Sequence, residues 1–238
     1  MRKKVIFLSI SLLLTIIFTI AVMTVDVTKS GLLGSRLGFS SLNLSFFAHF
    51  GENASFYKIS EFLGYFLVLY PVFYIGYIIY SWRKNKSLYL VEPRLLLIIS
   101  VYIVTALFYL LFEKIPINYR PIFIDNAMES SFPSSHTMLA LVICGTSMII
   151  TNFLFPKKSE RSAVIAVNLI TMLLAITIVV FRAFSGAHWF TDIIGGILYA
   201  AMIVSAYAVG VEALTFPPKK KKIARARRAS DLHKALHK

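Results

Sequence analysis

Arginine, histidine and aspartate lie close together in residues 181–192, FRAFSGAHWFTD, between two apolar runs. Arg182 offers a planar guanidinium that matches phosphate oxygens. His188 and Asp192 are four residues apart, so on a helix they share a face. A carboxylate bonded to one ring nitrogen fixes the tautomer and leaves the other nitrogen free. The stretch indicates a site for a phosphorylated group, although an ordinary connecting loop with interfacial anchors has the same composition.

A second stretch, ESSFPSSHT, enters another apolar run and is typical of a helix start. Ser130 or Ser131 is the expected N-cap. The backbone N–H groups near Ser134 and Ser135 then form an anion site, because the first N–H groups of a helix have no partner within it. His136 follows directly and is a candidate acid or base.

A third stretch, EKIPINYRPIF, adds Lys114 and Arg120. Taken singly, each of these features has an ordinary explanation, such as a snorkelling arginine, an interfacial aromatic belt or a helix cap. Together they place three cations, two histidines, one carboxylate and a helix N-terminus in one layer. That combination suits phosphoryl transfer, which depends on positioning and charge neutralisation.

The elements that hold these residues are predicted to be membrane-spanning helices. Of the 238 residues, 58% are hydrophobic and only 15% are charged, which excludes an ordinary soluble domain. A span needs about 20 mostly apolar residues. Six runs qualify, and they are 5–25, 62–82, 95–112, 137–155, 163–181 and 189–211. The sequence predicts an all-α, polytopic membrane protein with six transmembrane helices around a helical-bundle catalytic core.

The net charge of +14 is unevenly distributed and predicts the topology. The N-terminus, the second and fourth connections and the tail hold most of the Lys and Arg residues, so by the positive-inside rule they are cytoplasmic. Connections 26–60, 113–136 and 182–188 then face the extracytoplasmic side. The 26–60 connection is long, and we expect it either to line a lipid entrance or to pack at the interface.

The tail, residues 219–238, carries nine Lys and Arg residues directly after the last span. Such a segment is expected to bind anionic lipid headgroups. It lacks a folded nucleic-acid-binding module, so nucleic acid is not the expected partner. The single cysteine, Cys144, is expected to be a small buried apolar side chain. No oligomeric state is predicted.

The motif residues resemble those of the type 2 phosphatidic acid phosphatase superfamily, membrane lipid phosphate phosphatases related to vanadium haloperoxidases. That family has K, six residues, R-P; then P-S-G-H; then S-R, five residues, H, three residues, D. The third motif occurs with its spacing intact at Arg182, His188 and Asp192, and the second occurs as Pro133-Ser134-Ser135-His136. The motif-bearing core covers about 95–212 of a domain at 1–218.

Three positions depart from the family pattern. Lys114 lies one residue too close to Arg120, and the expected position holds Glu113. Ser135 replaces the glycine of the second motif, and Phe181 replaces the serine before Arg182.

The resemblance implies a metal-independent phosphatase with a phosphohistidine intermediate. His188 would attack phosphorus, Asp192 would orient it, and His136 would protonate the leaving oxygen and then activate water. The implied phosphate-binding residues are Lys114, Arg120, Ser134, Ser135 and Arg182. No cofactor is implied. No metal is implied either, because the outward acids are scattered in the sequence and cations already supply the charge.

The expected substrate is a lipid phosphate, with phosphatidate, phosphatidylglycerol phosphate and undecaprenyl diphosphate as candidates. Two alternatives remain, a small multi-pass transporter and an inactive lipid-binding relative. Transporters place ionisable or broken-helix sites near the midplane. The middles of all six runs lack Lys, Arg, Asp, Glu and His, and Gly145, Gly195 and Gly196 are interpreted as close-packing positions.

Overall fold

The computed structural model describes residues 1–86, 91–155 and 157–215 of the chain. Within these residues the fold is all-α, with isolated bridges but no β-strand. The helices are α1 Arg2–Thr24, α2 Ser40–Phe50, α3 Ala54–Leu67, α4 Leu69–Asn85, α5 Pro93–Lys114, α6 Ser135–Leu154, α7 Arg161–Ala183 and α8 Phe190–Thr215, with 3₁₀ turns at Leu32–Gly34 and Lys158–Glu160. The predicted tail, 219–238, lies outside the described residues.

The prediction of six spans is confirmed. Six helical segments of the described chain are long and apolar enough to cross a membrane. The second, Ala54–Asn85, begins earlier than the predicted residue 62. Asn53 caps this start, since its side chain accepts a hydrogen bond from the Phe56 N–H at 3.0 Å.

The second span consists of α3 and α4, which join at Val68. Pro71 explains the interruption, because proline has no N–H to donate to the carbonyl of Leu67 four residues earlier. The Val68 N–H bonds Tyr65 at 3.2 Å, a tighter turn than an α-helix makes.

Helix α8 lies at the centre of the bundle and packs against α1, α5 and α6, while α7 packs against α6 and α3. The interpretation of three glycines as close-packing positions is confirmed. A Cβ at Gly195 would lie 2.5 Å from the Phe132 ring, one at Gly196 2.8 Å from the Ser134 carbonyl, and one at Gly145 3.0 Å from Val204. Cys144 is free and buried, as expected.

The bundle has two ends, which we name by one residue each. At the His188 end, α6 and α8 begin and the connections 25–53, 115–134 and 184–189 lie. At the Glu212 end, α1 begins and α8 ends. Glu212 forms an ion pair with Lys4 there, with 3.1 Å between the charged atoms. All three stretches with candidate chemistry therefore lie at one end of the bundle. Which side of the membrane this end faces stays a prediction.

Candidate functional site

A hairpin-like loop between α5 and α6 brings Asn118, Arg120 and Ser131 together. Asp125 and Asn126 have φ values of 48° and 62°, the left-handed conformation of a tight type I′ turn. The two arms are joined by backbone hydrogen bonds from Arg120 to the Glu129 carbonyl at 3.1 Å and from Ser131 to the Asn118 carbonyl at 2.8 Å.

The start of α6 differs from the expected one. Its N-cap is Ser134, whose hydroxyl accepts from the Thr137 N–H at 3.5 Å, and not Ser130 or Ser131. The Ser134 N–H donates to the Asp192 carbonyl at 2.9 Å. Both polar groups of Ser134 are thus used within the protein, and the side chain is fully buried. The free helix-terminal N–H groups are those of Ser135 and His136, because the first turn has no intrahelical acceptors.

The loop that carries His188 depends on Gly186. This residue has φ +73°, and a Cβ there would lie 2.5 Å from the Gly51 carbonyl oxygen. Any side chain would therefore push the loop away from the segment before α3. Ser185 fixes the loop further, because its hydroxyl donates to the Arg182 carbonyl at 2.9 Å and its carbonyl accepts from Asn53 at 3.0 Å.

His188 and Asp192 do not form the direct hydrogen bond that the sequence predicted. His188 precedes the first residue of α8, Phe190, so the helical four-residue spacing does not apply to it. Asp192 instead accepts from the Trp189 N–H at 2.9 Å, as the third residue of a helix does in a capping box.

Ser131 lies between the two residues. Its hydroxyl donates to Asp192 Oδ2 at 2.5 Å and lies 3.1 Å from His188 Nδ1. Its carbonyl also lies 3.1 Å from His188 Nδ1. Asn118 donates to the other carboxylate oxygen at 3.2 Å. A carbonyl can only accept, so Nδ1 carries the proton and Nε2 is left with a lone pair.

The two arginines of the motifs are buried at this end of the bundle. Arg120 is 7% exposed and forms an ion pair with Glu129 at 3.2 Å, while its Nη1 has no hydrogen-bond partner. Arg182 is fully buried, and none of its three guanidinium nitrogens has a hydrogen-bond partner. It lies over the ring of Tyr57, with 4.7 Å between Cζ and the ring centroid.

A cavity of about 280 Å³ lies at this end of the bundle, and Arg182 is not one of the residues that line it. Arg120, Ser135, His136 and His188 line it directly. Nε2 of His188 and Nδ1 of His136 are buried there without a hydrogen-bond partner. Buried polar groups without partners are rare in folded proteins, and in a cavity they indicate a bound polar group.

Electrostatics keep the imidazole of His188 neutral. Burial is the largest cause, and the positive charges of Arg120 and Arg182 add to it. Together they hold the pKa of His188 well below its usual value of 6.5. An imidazole that is neutral at physiological pH, with a proton on Nδ1 and a free Nε2, is suited to attack an electrophile.

Lys114 is not brought to the cavity. It is exposed at the last turn of α5, whereas the preceding residue, Glu113, lines the cavity. The register of the helix explains this. The family motif predicts the lysine at position 113, which faces the cavity, and Lys114 is one residue further along the helix. The acids are also less scattered than expected, since Glu61, Asp125 and Glu129 line the same cavity. The described residues contain no group of three or more potential acidic, His or Cys metal ligands.

The structure adds residues that sequence reasoning missed, namely Tyr57, Glu61, Asn118 and Ser131. Tyr57 and Glu61 were missed because residues 54–61 are too polar to be read as part of a span. Ser131 was considered only as a helix cap. Asn118 had no local signal, because its partners lie far away in the sequence.

The 26–60 connection packs behind the site up to residue 53, and only its α3 part reaches the cavity. Asn43, fully buried on α2, accepts from the Thr191 N–H at 3.1 Å and donates to the Thr191 hydroxyl at 2.9 Å. The Gly38 N–H donates to Asn118 at 3.3 Å. This connection therefore buttresses the start of α8, next to Asp192.

Fold and site together define a multi-pass helical membrane protein with a small polar cavity at one end of its bundle, lined by one arginine, two histidines and four acidic side chains. A family model described as the PAP2 superfamily matches residues 99–215, which include all three motifs. The chain belongs to the PAP2 superfamily.

Two individual proteins are similar to this chain. The bacitracin transport permease protein BcrC of Bacillus licheniformis is 25% identical over 178 residues, which cover 70% of this chain and 79% of the relative. The crystal structure of the first transmembrane PAP2 type phosphatidylglycerolphosphate phosphatase from Bacillus subtilis matches with a TM-score of 0.60 and 16% identity. That match covers 89% of this chain and 97% of the other. It shows that the two chains share a fold.

Proposed function

We propose that this protein is a membrane lipid phosphatase that works through a phosphohistidine intermediate. The observation that carries the proposal is the unpartnered Nε2 of His188 in a cavity that also holds His136 and Arg120. Nε2 attacks phosphorus, and the leaving oxygen takes a proton from His136. Water activated by His136 then releases phosphate from His188.

The cations and the helix start supply the charge that stabilises this reaction. Arg120 and Arg182 offer buried guanidinium nitrogens without partners, and the N–H groups of Ser135 and His136 lie at the start of α6. We propose that these groups bind the phosphate oxygens and that no metal ion is required.

Chelators should therefore leave the activity unchanged. Vanadate should inhibit, because it adopts the five-coordinate geometry of phosphoryl transfer. A requirement for added Mg²⁺ after chelation would contradict the metal-free proposal.

The substrate is proposed to be a lipid phosphate, because the cavity lies at the ends of the spanning helices, where a headgroup meets it while the tails stay in the bilayer. Phosphatidate, phosphatidylglycerol phosphate and undecaprenyl diphosphate all fit this description. The names of the two relatives mention a phosphatidylglycerolphosphate phosphatase and bacitracin transport. Phosphate release by the purified protein from a panel of these lipids, with a soluble sugar phosphate for comparison, tests the proposal. Preference for the soluble phosphate would contradict it.

The active site is proposed to face the extracytoplasmic side, with both termini in the cytoplasm of a cell membrane. The basis is the concentration of Lys and Arg in the connections at the Glu212 end. In sealed vesicles of known orientation, substrate in the leaflet at the His188 end should be hydrolysed. Hydrolysis only of substrate on the side of the 219–238 tail would overturn the topology.

A transporter is the second function considered, because the name of one relative mentions transport. The unpartnered ring nitrogens of His136 and His188 lie at one end of the bundle. Transport sites lie near the midplane of the membrane. The site therefore favours the phosphatase.

A further inference from the structure

We infer that Ser131 is a positioning residue, and that Asp192 acts on His188 through the Ser131 hydroxyl rather than by direct contact. The inference rests on the proposed function, because it concerns how the nucleophile of that reaction is held. The three groups form a hydrogen-bonded chain, in which the carboxylate accepts from the hydroxyl and the hydroxyl accepts from the imidazole.

The proton positions in this chain follow from the acceptors. The Ser131 carbonyl, 3.1 Å from His188 Nδ1, can only accept, so Nδ1 is the donor. Ser131 Oγ is 2.5 Å from Asp192 Oδ2, and a carboxylate can only accept when ionised, so the hydroxyl hydrogen points to Asp192. The lone pairs of Oγ are then directed to the Nδ1–H at 3.1 Å. One serine supplies both acceptors of the imidazole.

The surroundings leave the serine no other orientation. Ser131 is 1% exposed, and its N–H donates to the Asn118 carbonyl, so its backbone is fixed by the hairpin. Asp192 is fully buried and is held by Asn118 on one oxygen and by the Trp189 N–H on the other. A rigid, fully bonded carboxylate polarises the hydroxyl, and hydrogen bonds in such chains strengthen one another.

The consequence for the reaction is electrostatic and geometric. When Nε2 attacks phosphorus, positive charge develops on the ring, and the polarised hydroxyl stabilises it at Nδ1. Both Nδ1 contacts also aim Nε2 into the cavity. Removal of the hydroxyl leaves the carbonyl contact, so the tautomer is retained while the link to the carboxylate is lost.

Single-turnover kinetics with enzyme in excess over a lipid phosphate test the inference. Ser131→Ala should lower the rate constant about 10- to 100-fold, by analogy with the loss of the group that hydrogen-bonds a metal-bound histidine. Ser131→Thr, which keeps the hydroxyl, should restore most of the rate. Ser60→Ala is the matched control, because Ser60 is equally buried but donates only to a backbone carbonyl of its own helix at 2.8 Å.

The amount of folded enzyme, measured by size-exclusion chromatography, separates positioning from folding. A serine needed only for folding would lower that amount and leave the single-turnover rate constant of the folded fraction unchanged, and that result would overturn the inference. A double-mutant cycle gives the second test. If Asp192 acts through Ser131, Asp192→Asn should cost much less in the Ser131→Ala background than in the wild type. Full additivity of the two losses would contradict the relay.

A measurement without substrate tests the hydrogen-bond chain separately from the proposed phosphatase activity. The chain has five histidines, so ¹⁵N-histidine NMR resolves His188 once its signals are assigned with His188→Gln. We expect a neutral ring with the proton on Nδ1, and a changed Nδ1 shift in Ser131→Ala. A proton on Nε2 would overturn the relay. If the expected tautomer is found but no lipid phosphate is hydrolysed, the result would contradict the proposed phosphatase function and not the relay.

Discussion

The two ends of the bundle differ in how one arginine at each end is bonded. At the His188 end, Arg182 is fully buried and its guanidinium has no hydrogen-bond partner. At the Glu212 end, Arg94 bonds Glu92 at 2.6 Å and Thr215 at 3.0 Å and lies over Phe153. A buried cation without hydrogen-bond partners costs more stability than one whose ion pair and hydrogen bonds are formed. The first arrangement indicates a place for an anionic ligand, and the second indicates a role in holding helices together.

The largest expected effect is at His188. His188→Ala should abolish phosphate release, at least about 10⁴-fold, because nucleophile removal is among the most costly changes in an enzyme. The protein should still fold, since the side chain bonds only Ser131. Phosphate release normalised to folded protein measures this. His49→Ala, an exposed histidine at the same end, is the control and should retain activity. Wild-type rates in a folded His188→Ala protein would end the proposed mechanism.

Replacement of each of the two arginines by glutamine tests the comparison directly. Arg182→Gln should lower kcat/KM about 10²- to 10³-fold, as loss of one donor to a developing anion does. It should not lower the melting temperature, because the loss of the contact with the Tyr57 ring is offset by removal of a buried cation that has no hydrogen-bond partner. Arg94→Gln should do the reverse, with a lower melting temperature and nearly unchanged kcat/KM. Loss of both activity and stability in Arg182→Gln would mean that this arginine is structural.

The pH dependence of kcat/KM should reflect the charges around His188. Its pKa lies well below 6.5 because of burial, Arg120, Arg182 and His136, so the acidic limb should lie below pH 6.5. His188 must be neutral to attack, so the loss of activity on the acidic side follows its lowered pKa. Arg120→Gln removes one positive charge, so the limb should move to higher pH. Both proteins are assayed with the same substrate, so ionisation of the substrate phosphate does not contribute to the difference between the two pH profiles. A limb that moves to lower pH would contradict the assignment.

A small effect is expected at Lys114. It is exposed and away from the cavity, so Lys114→Ala should change kcat/KM less than about threefold, which fits an interfacial anchor. Arg120→Ala should cost about 10²- to 10³-fold, because Arg120 lines the cavity. Measured side by side on one lipid phosphate, equal losses would show that Lys114 reaches the phosphate after all.

The spans and the grouping of the motifs were predictable from the sequence, because long apolar runs and residues at their ends carry the information locally. The hairpin from 118 to 131 and the buttress around Asn43 were not, since they depend on hydrogen bonds between distant residues such as Asn43 and Thr191. The link between Asp192 and His188 was misjudged for a similar reason. Spacing along the chain does not show that α8 begins after His188, or that Ser131 fills the gap.

The smallest effect is expected at Glu212, which accepts hydrogen bonds from the N-terminal ammonium and from Lys4. Both partners are exposed to solvent, with side-chain exposures of 63% and 47%, so water and salt compete for these charges. Exposed ion pairs contribute little to stability. Glu212→Gln should therefore change phosphate release less than about twofold, and any fall in melting temperature should shrink as salt is added. A large loss of activity would show that the packing of α1 on α8 reaches the His188 end. The two ends would then be one coupled unit and not a reactive end on a passive frame.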